Sequence, residues 1–158
     1  ASLHILASTP DPELVERILE RRSVPTLRRL VWTLGLDATH DRTEMLLAIA
    51  EVPELRGEVL RAREHLRGDT AQEFAEAMLV DPEFTAEALS TLAFVSQAGL
   101  ERVRALAREG DPALRVEAIG TLGRLGDTTQ LDALERWVSD ADPAIADAAA
   151  VALASMGR

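Results

Sequence analysis

Cysteine is absent from the 158-residue chain. This removes disulfides and thiolate metal sites, and it fits a reducing, cytoplasmic setting. Lysine and asparagine are absent as well, so all 17 cations are arginine, a bias that a GC-rich coding sequence accounts for. No apolar run approaches the roughly 20 residues needed to span a bilayer, and no membrane partner is expected. The opening residues 1–8 lack the basic start of a secretion signal. No stretch alternates apolar and polar residues over strand length, so no sheet is expected. Glycine-rich phosphate loops, nucleophile elbows and cysteine nucleophiles are also missing. Together these absences leave little room for an enzyme, and no cofactor is expected.

Acidic residues are plentiful. The net charge is −10, with 27 carboxylates against 17 arginines. Residues 1–68 hold ten arginines and eleven acids; residues 69–158 hold seven and sixteen. Such a chain repels phosphate backbones, so nucleic acid is not an expected partner. At 47% hydrophobic the chain can still bury a core.

Proline marks the organisation. Pro25, Pro53, Pro82, Pro112 and Pro143 stand 28, 29, 30 and 31 residues apart, the drifting period of stacked helical units. Asp81, Asp111 and Asp142 each precede one of these prolines. An N-cap carboxylate followed by a residue that has no N–H is a strong helix start. After each start the apolar residues recur at spacings of three and four: Phe84, Ala88, Leu89, Leu92 and Val95; Leu114, Ala118, Ile119, Leu122 and Leu125; Ile145, Ala149, Ala150, Leu153 and Met156. Gly110, Gly126 and Gly157 stand where C-cap glycines belong.

Partner helices follow. Leu100, Val103, Leu106 and Ala107 correspond to Leu131, Leu134, Trp137 and Val138. Upstream, residues 9–12 break a first helix, with Asp11 as the next N-cap and Val15, Ile18 and Leu19 on the following inward face. The spacing predicts helices from Pro25 to about residue 36, from 43 to 51, from 53 to 66 and from 70 to 80. Their inward positions include Leu27, Leu30, Val31 and Leu34; Met45, Leu46 and Ile49; and Phe74, Ala77 and Met78. Arg63 replaces the leucine seen at 92, 122 and 153, which makes the 53–80 unit the loosest. Trp32 and Trp137 align with core aliphatics and are expected in the core, although the Trp32 copy is out of register by about one residue.

The run from Asp111 to Asp127, with Pro112, Arg115, Glu117, Ala118, Ile119, Leu122, Gly123, Leu125 and Gly126, resembles HEAT repeats. The similarity is to the short form found in phycocyanobilin-lyase-like proteins and bacterial scaffold proteins. Residues 53–69 match well; residues 81–96 and 142–157 match partly, with Thr85 and Ala146 in place of the usual arginine. The resemblance implies an all-α fold, a right-handed α-α superhelix of about five helical-hairpin repeats, as a single array over residues 1–158 that is clearest over 81–158 and looser over 12–80. It implies a non-catalytic scaffold that binds another protein, or further repeats of the same chain, along the side of the second helices. The outward positions there are Glu101, Arg104 and Arg108, then Asp132 and Glu135, with Glu16 and Glu20 in the first repeat. A solvated helix face needs such charges in any case. The Ala-rich last helix carries one charge, which suggests a piece of a longer array or something packed on that end.

Other chemistries are weaker. His40-Asp41 with Glu44 could form half of a metal site, as could Glu64-His65 with Asp69, but neither has a second cluster to complete it, and no metal is expected. HEAT-repeat deoxyhypusine hydroxylases use His-Glu pairs, and this chain has no such dipeptide. A bilin-lyase-type subunit that holds a linear tetrapyrrole is the alternative function. A HEAT-like alkylpurine DNA glycosylase would need a basic, aromatic face. Only Arg21-Arg22 and Arg28-Arg29 are basic clusters, and Glu13, Glu16 and Glu20 accompany them.

Overall fold

Aspartate–proline pairs start two of the helices in the manner the sequence predicts. Asp111 and Asp142 are non-helical, and their side chains accept the N–H of Leu114 and Ala144, at 3.1 and 2.9 Å. The computed structural model describes residues 17–21, 23–34 and 42–158. Residues 17–20 are helical. Nine further α-helices follow among the described residues: α1 (Val24–Leu34), α2 (Thr43–Ala50), α3 (Arg56–Arg61), α4 (Gly68–Met78), α5 (Thr85–Val95), α6 (Gln97–Glu109), α7 (Pro112–Leu125), α8 (Leu131–Trp137) and α9 (Pro143–Ser155). Short 3₁₀ turns at Pro53–Leu55, Arg63–His65 and Thr128–Gln130 join some of them, and no strand occurs among the described residues. The break at residues 9–12, Asp11, Val15 and the pair His40-Asp41 lie outside the described residues.

Packing is local along the chain. Every pair of elements in substantial contact is adjacent or has a single α-helix between its members. The helices that open each unit lie against one another, α3 on α5, α5 on α7 and α7 on α9, while α4, α6 and α8 pack on their chain neighbours. Leu89, Leu92, Ala88, Ile119, Leu122, Ala118 and Ala149 are fully buried where these layers meet. Each large aliphatic side chain so buried stabilises the fold by about 1.5–3 kcal/mol. Two buried clusters result, one around α1 to α4 and one from α3 to α9, and Phe74 packs against both.

Close approach depends on small residues. A Cβ on Gly123 of α7 would lie 2.6 Å from the Ala152 Cα of α9, so these two backbones nearly touch. Thr91 of α5, fully buried, lies with its hydroxyl 3.0 Å from the Leu60 carbonyl and 2.8 Å from that of Glu87, satisfying a polar group between α3 and α5. Gly126 adopts φ 65° after α7, and Asp127 N–H returns to the Leu122 carbonyl at 3.1 Å, closing that helix in the left-handed way glycine favours.

Several expectations need correction. Asp81-Pro82 forms a turn, with the Asp81 carboxylate on Glu83 N–H, and α5 begins only at Thr85. The expected helix over 53–66 divides into a 3₁₀ turn, the six residues of α3 and a second 3₁₀ turn. The chain leaves helical geometry at Ala62, next to the Arg63 that interrupts the apolar stripe. Gly110 does cap α6, its N–H on the Leu106 carbonyl at 2.9 Å, but in an extended conformation, φ −68° and ψ 168°, not the left-handed one. Leu125, Val138, Ala77 and Ala150 are exposed rather than inward. Ala150 and Ala154 of α9 stand at the positions where α7 buries Ile119 and Gly123, because on α7 those positions lie under α9.

Candidate functional site

The second helices α6 and α8 carry most of the residues expected to face a partner. Ser96 fixes the start of α6: its hydroxyl oxygen accepts the Gly99 N–H at 2.8 Å and donates to Gln72 Oε1 of α4 at 2.8 Å. From there Glu101 and Arg108 of α6 and Asp132 and Glu135 of α8 are exposed. Glu20, in the helical stretch 17–20, is exposed too, and Glu16 lies outside the described residues.

Arg104 departs from the outward expectation. Its side chain is only 12% exposed, and that of Asp127 only 7%. Arg104 Nε donates to Asp127 Oδ2 at 2.7 Å and Nη2 to Oδ1 at 2.8 Å, while Nη1 donates to Glu101 Oε1 at 2.6 Å. The Asp127 carboxylate also caps the following 3₁₀ turn, accepting from Thr129 N–H and Oγ1. The guanidinium hydrogen bond holds the Asp127 carboxyl below its ordinary range, and the same pairing, through Asp127 and then Glu101, raises the pKa of Arg104. Arg104 therefore fastens α6 to the segment after α7. It also orients Glu101, which receives a further bond from Gln97 Nε2 at 3.3 Å. Arg108 reaches the same segment through Gln130 Oε1 at 3.4 Å.

A second fastening uses the arginine at the resemblance's usual position. Arg115 Nε donates to the Ala107 carbonyl at 3.2 Å and Nη2 to Asp140 Oδ2 at 3.3 Å, with its guanidinium 6.0 Å from the Trp137 ring centre. The Asp140 carboxyl is lowered first by the Asp142 N–H and then by Arg115. Arg56 repeats part of this arrangement, donating to the Ala50 carbonyl at 3.4 Å. Trp137 packs half-buried against the core as expected.

The other tryptophan does not. Trp32 is 74% exposed, because the one-residue slip of its unit puts Val31 in the buried slot and turns Trp32 about 100° round the helix. It lines a groove of about 560 Å³ with Arg28, Val31, Glu58 and Arg61. The expectation of a core tryptophan missed this surface, and the broken register was the signal that could have revealed it.

These surfaces present hydrogen-bond donors and acceptors held on helices. Among the described residues no group of three His, Asp or Glu side chains could hold a metal ion, and no helix is long and apolar enough to cross a membrane. Glu44 is exposed, and His65 is fully buried with neither ring nitrogen hydrogen-bonded.

A sequence profile of the HEAT repeats family matches residues 100–158, from within α6 through α9, which supports the HEAT-repeat family. No curated protein and no solved structure matches the chain.

Proposed function

We propose that the chain is a non-catalytic protein-interaction module, a right-handed α-α superhelix of about five HEAT-like repeats in a single array over residues 1–158. It binds a partner protein along its second helices. HEAT repeats generally serve protein interaction, and packing between near neighbours in the chain supports a repeat array. The observation that carries the reading is the row Glu101, Arg108, Asp132 and Glu135, exposed on α6 and α8. The Arg104–Asp127 pair holds α6 in place relative to the segment that leads into α8. Charges set on a rigid scaffold lose little freedom on binding and confer specificity through complementarity. We assign Glu20, exposed in the helical stretch 17–20, as the first repeat's contribution to the same face, and by sequence spacing alone Glu16 is grouped with it.

Charge reversal tests this. Peptides selected from a displayed random library against the wild-type chain should bind the Glu101→Arg, Glu135→Arg double variant about tenfold more weakly, a loss of about 1.4 kcal/mol. If no selected peptide loses affinity on both reversals, the α6–α8 face falls. Mixing the chain with a linear tetrapyrrole should leave the pigment's absorbance unchanged; an induced spectral shift would favour a bilin-handling role instead.

A further inference from the structure

Arg28, Arg29 and Trp32 sit at i, i+1 and i+4 on α1, close enough for the side chains to share one patch of surface. Helix α1 contains these two arginines and no acid, in a chain whose net charge is −10. Trp32 and Arg28 line two hollows at once: the 560 Å³ groove toward α3, which Val31 and Ala62 also line, and a second of about 550 Å³ with Pro25, Thr26 and Arg29. An indole left 74% exposed beside such hollows is a large apolar surface in water.

The cations have bonding capacity left. Among the described residues Arg28 gives only Nε to Glu58 Oε1, at 2.8 Å. Arg61 Nε stands 3.6 Å from Glu87 Oε1, beyond a good hydrogen bond. Arg29 is exposed and forms no ion pair among the described residues. The two hollows are lined by three guanidinium groups and two carboxylates, Glu58 and Glu64, with Glu87 beside Arg61; among the described residues Arg29 and the two Nη nitrogens of Arg28 are left without a carboxylate.

We propose that this patch is a docking site for an acidic segment of a partner protein, one that carries an aromatic or large aliphatic side chain beside its carboxylates. The proposal rests on the reading of the chain as a protein-binding module and adds a second site with a partner chemistry of its own. The partner's apolar side chain lies on Trp32 in the groove beside Val31 and Ala62. Its carboxylates take the open nitrogens of Arg28, Arg29 and Arg61, for which the planar guanidinium is well shaped. Tryptophan and arginine are the residue types that dominate binding energy at interfaces, and a two-torsion indole loses little entropy when covered. A phosphate polymer, charged along its whole length, would run from this patch onto the rest of a chain of net charge −10, whereas a short acidic segment meets the patch alone.

The experiment is selection from a random peptide library displayed on phage, panned on the wild-type chain after counter-selection on Trp32→Ala. Enriched peptides should share aspartate or glutamate flanking tryptophan, phenylalanine or leucine. Made synthetically with a fluorescent label, they should bind Trp32→Ala and Arg29→Glu at least about tenfold more weakly than wild type by anisotropy. The Glu101→Arg, Glu135→Arg double variant should bind them as wild type does. Thermal melts of Trp32→Ala and Arg29→Glu that overlay wild type exclude unfolding as the cause. Enriched peptides that are basic or uncharged overturn the proposal, as does equal binding to Trp32→Ala or a labelled single-stranded oligonucleotide that binds at Trp32 more tightly than the peptides. If panning without the counter-selection yields peptides that depend on Glu101 and Glu135 alone, the Trp32 site falls and the protein-binding reading stands. If neither selection yields a peptide, both fall.

Discussion

Arg104 and Asp127 meet as a two-pronged pair, at 2.7 and 2.8 Å, across 23 residues of chain. Both side chains are largely shielded from solvent. Charged hydrogen bonds in such places contribute about 1.5–3 kcal/mol, so Arg104→Ala should lower unfolding stability by that amount in urea melts. Asp127 adds a pH signature. Its carboxyl is depressed in the folded chain, so the stabilisation is complete above the unfolded value of 3.8 and fades as pH falls through the lower folded value. Wild type should therefore lose stability on acidification below about pH 4 more steeply than Arg104→Ala does. Parallel slopes would mean that the pairing does not persist in solution.

Two glycines of α7 should respond in opposite directions. At Gly123 an added Cβ meets the Ala152 backbone at 2.6 Å, so Gly123→Ala must push α7 and α9 apart and should cost about 1–3 kcal/mol. At Gly120 the same methyl finds only the flexible tip of Arg124, at 3.4 Å. Gly120→Ala should stabilise by about 0.4–1 kcal/mol through the unfolded state. Thermal melts of the pair would reveal it, and equal responses would contradict the tight α7–α9 contact.

Depth along a helix face makes a third contrast. Leu122 is fully buried, and Leu122→Ala should cost about 2–5 kcal/mol. Glu135 is exposed, and Glu135→Ala should change stability by less than about 0.5 kcal/mol. Equal losses in urea titrations would mean the helix faces are misassigned.

The tryptophans should separate in the same assay. Trp32→Ala removes an exposed ring and should shift stability by no more than about 0.5 kcal/mol. Trp137→Ala removes a half-buried ring together with its Arg115 contact and should cost at least about 1 kcal/mol. A large loss at Trp32 would show that the ring is covered after all.

Helix starts and stripes were legible because their causes are local. Asp111-Pro112 and Asp142-Pro143 cap helices through bonds two or three residues away, and the spacing of Ala118, Ile119 and Leu122 states which face is inside. The division of 53–66 was only half visible. Arg63 announced a weak unit, but where the backbone would leave the helix depends on packing against α5. Arg104 shows the harder limit. Its spacing marks it as outward, yet a long side chain can turn back to a carboxylate 23 residues away, and periodicity carries no record of that reach. Trp32 went unread for a smaller reason: a slip of one residue exchanges inside for outside.

The near-neighbour packing also makes chain length adjustable. From Pro112 to the residue before Pro143 runs a 31-residue block whose two flanks share an aspartate–proline start and an alanine-lined seam. A copy of that block spliced in ahead of Pro143 would meet a similar surface on either side, since among the described residues no pair of elements in substantial contact spans it. Inheritance by tandem duplication, and engineering by the same route, are the natural ways for such a molecule to change its span.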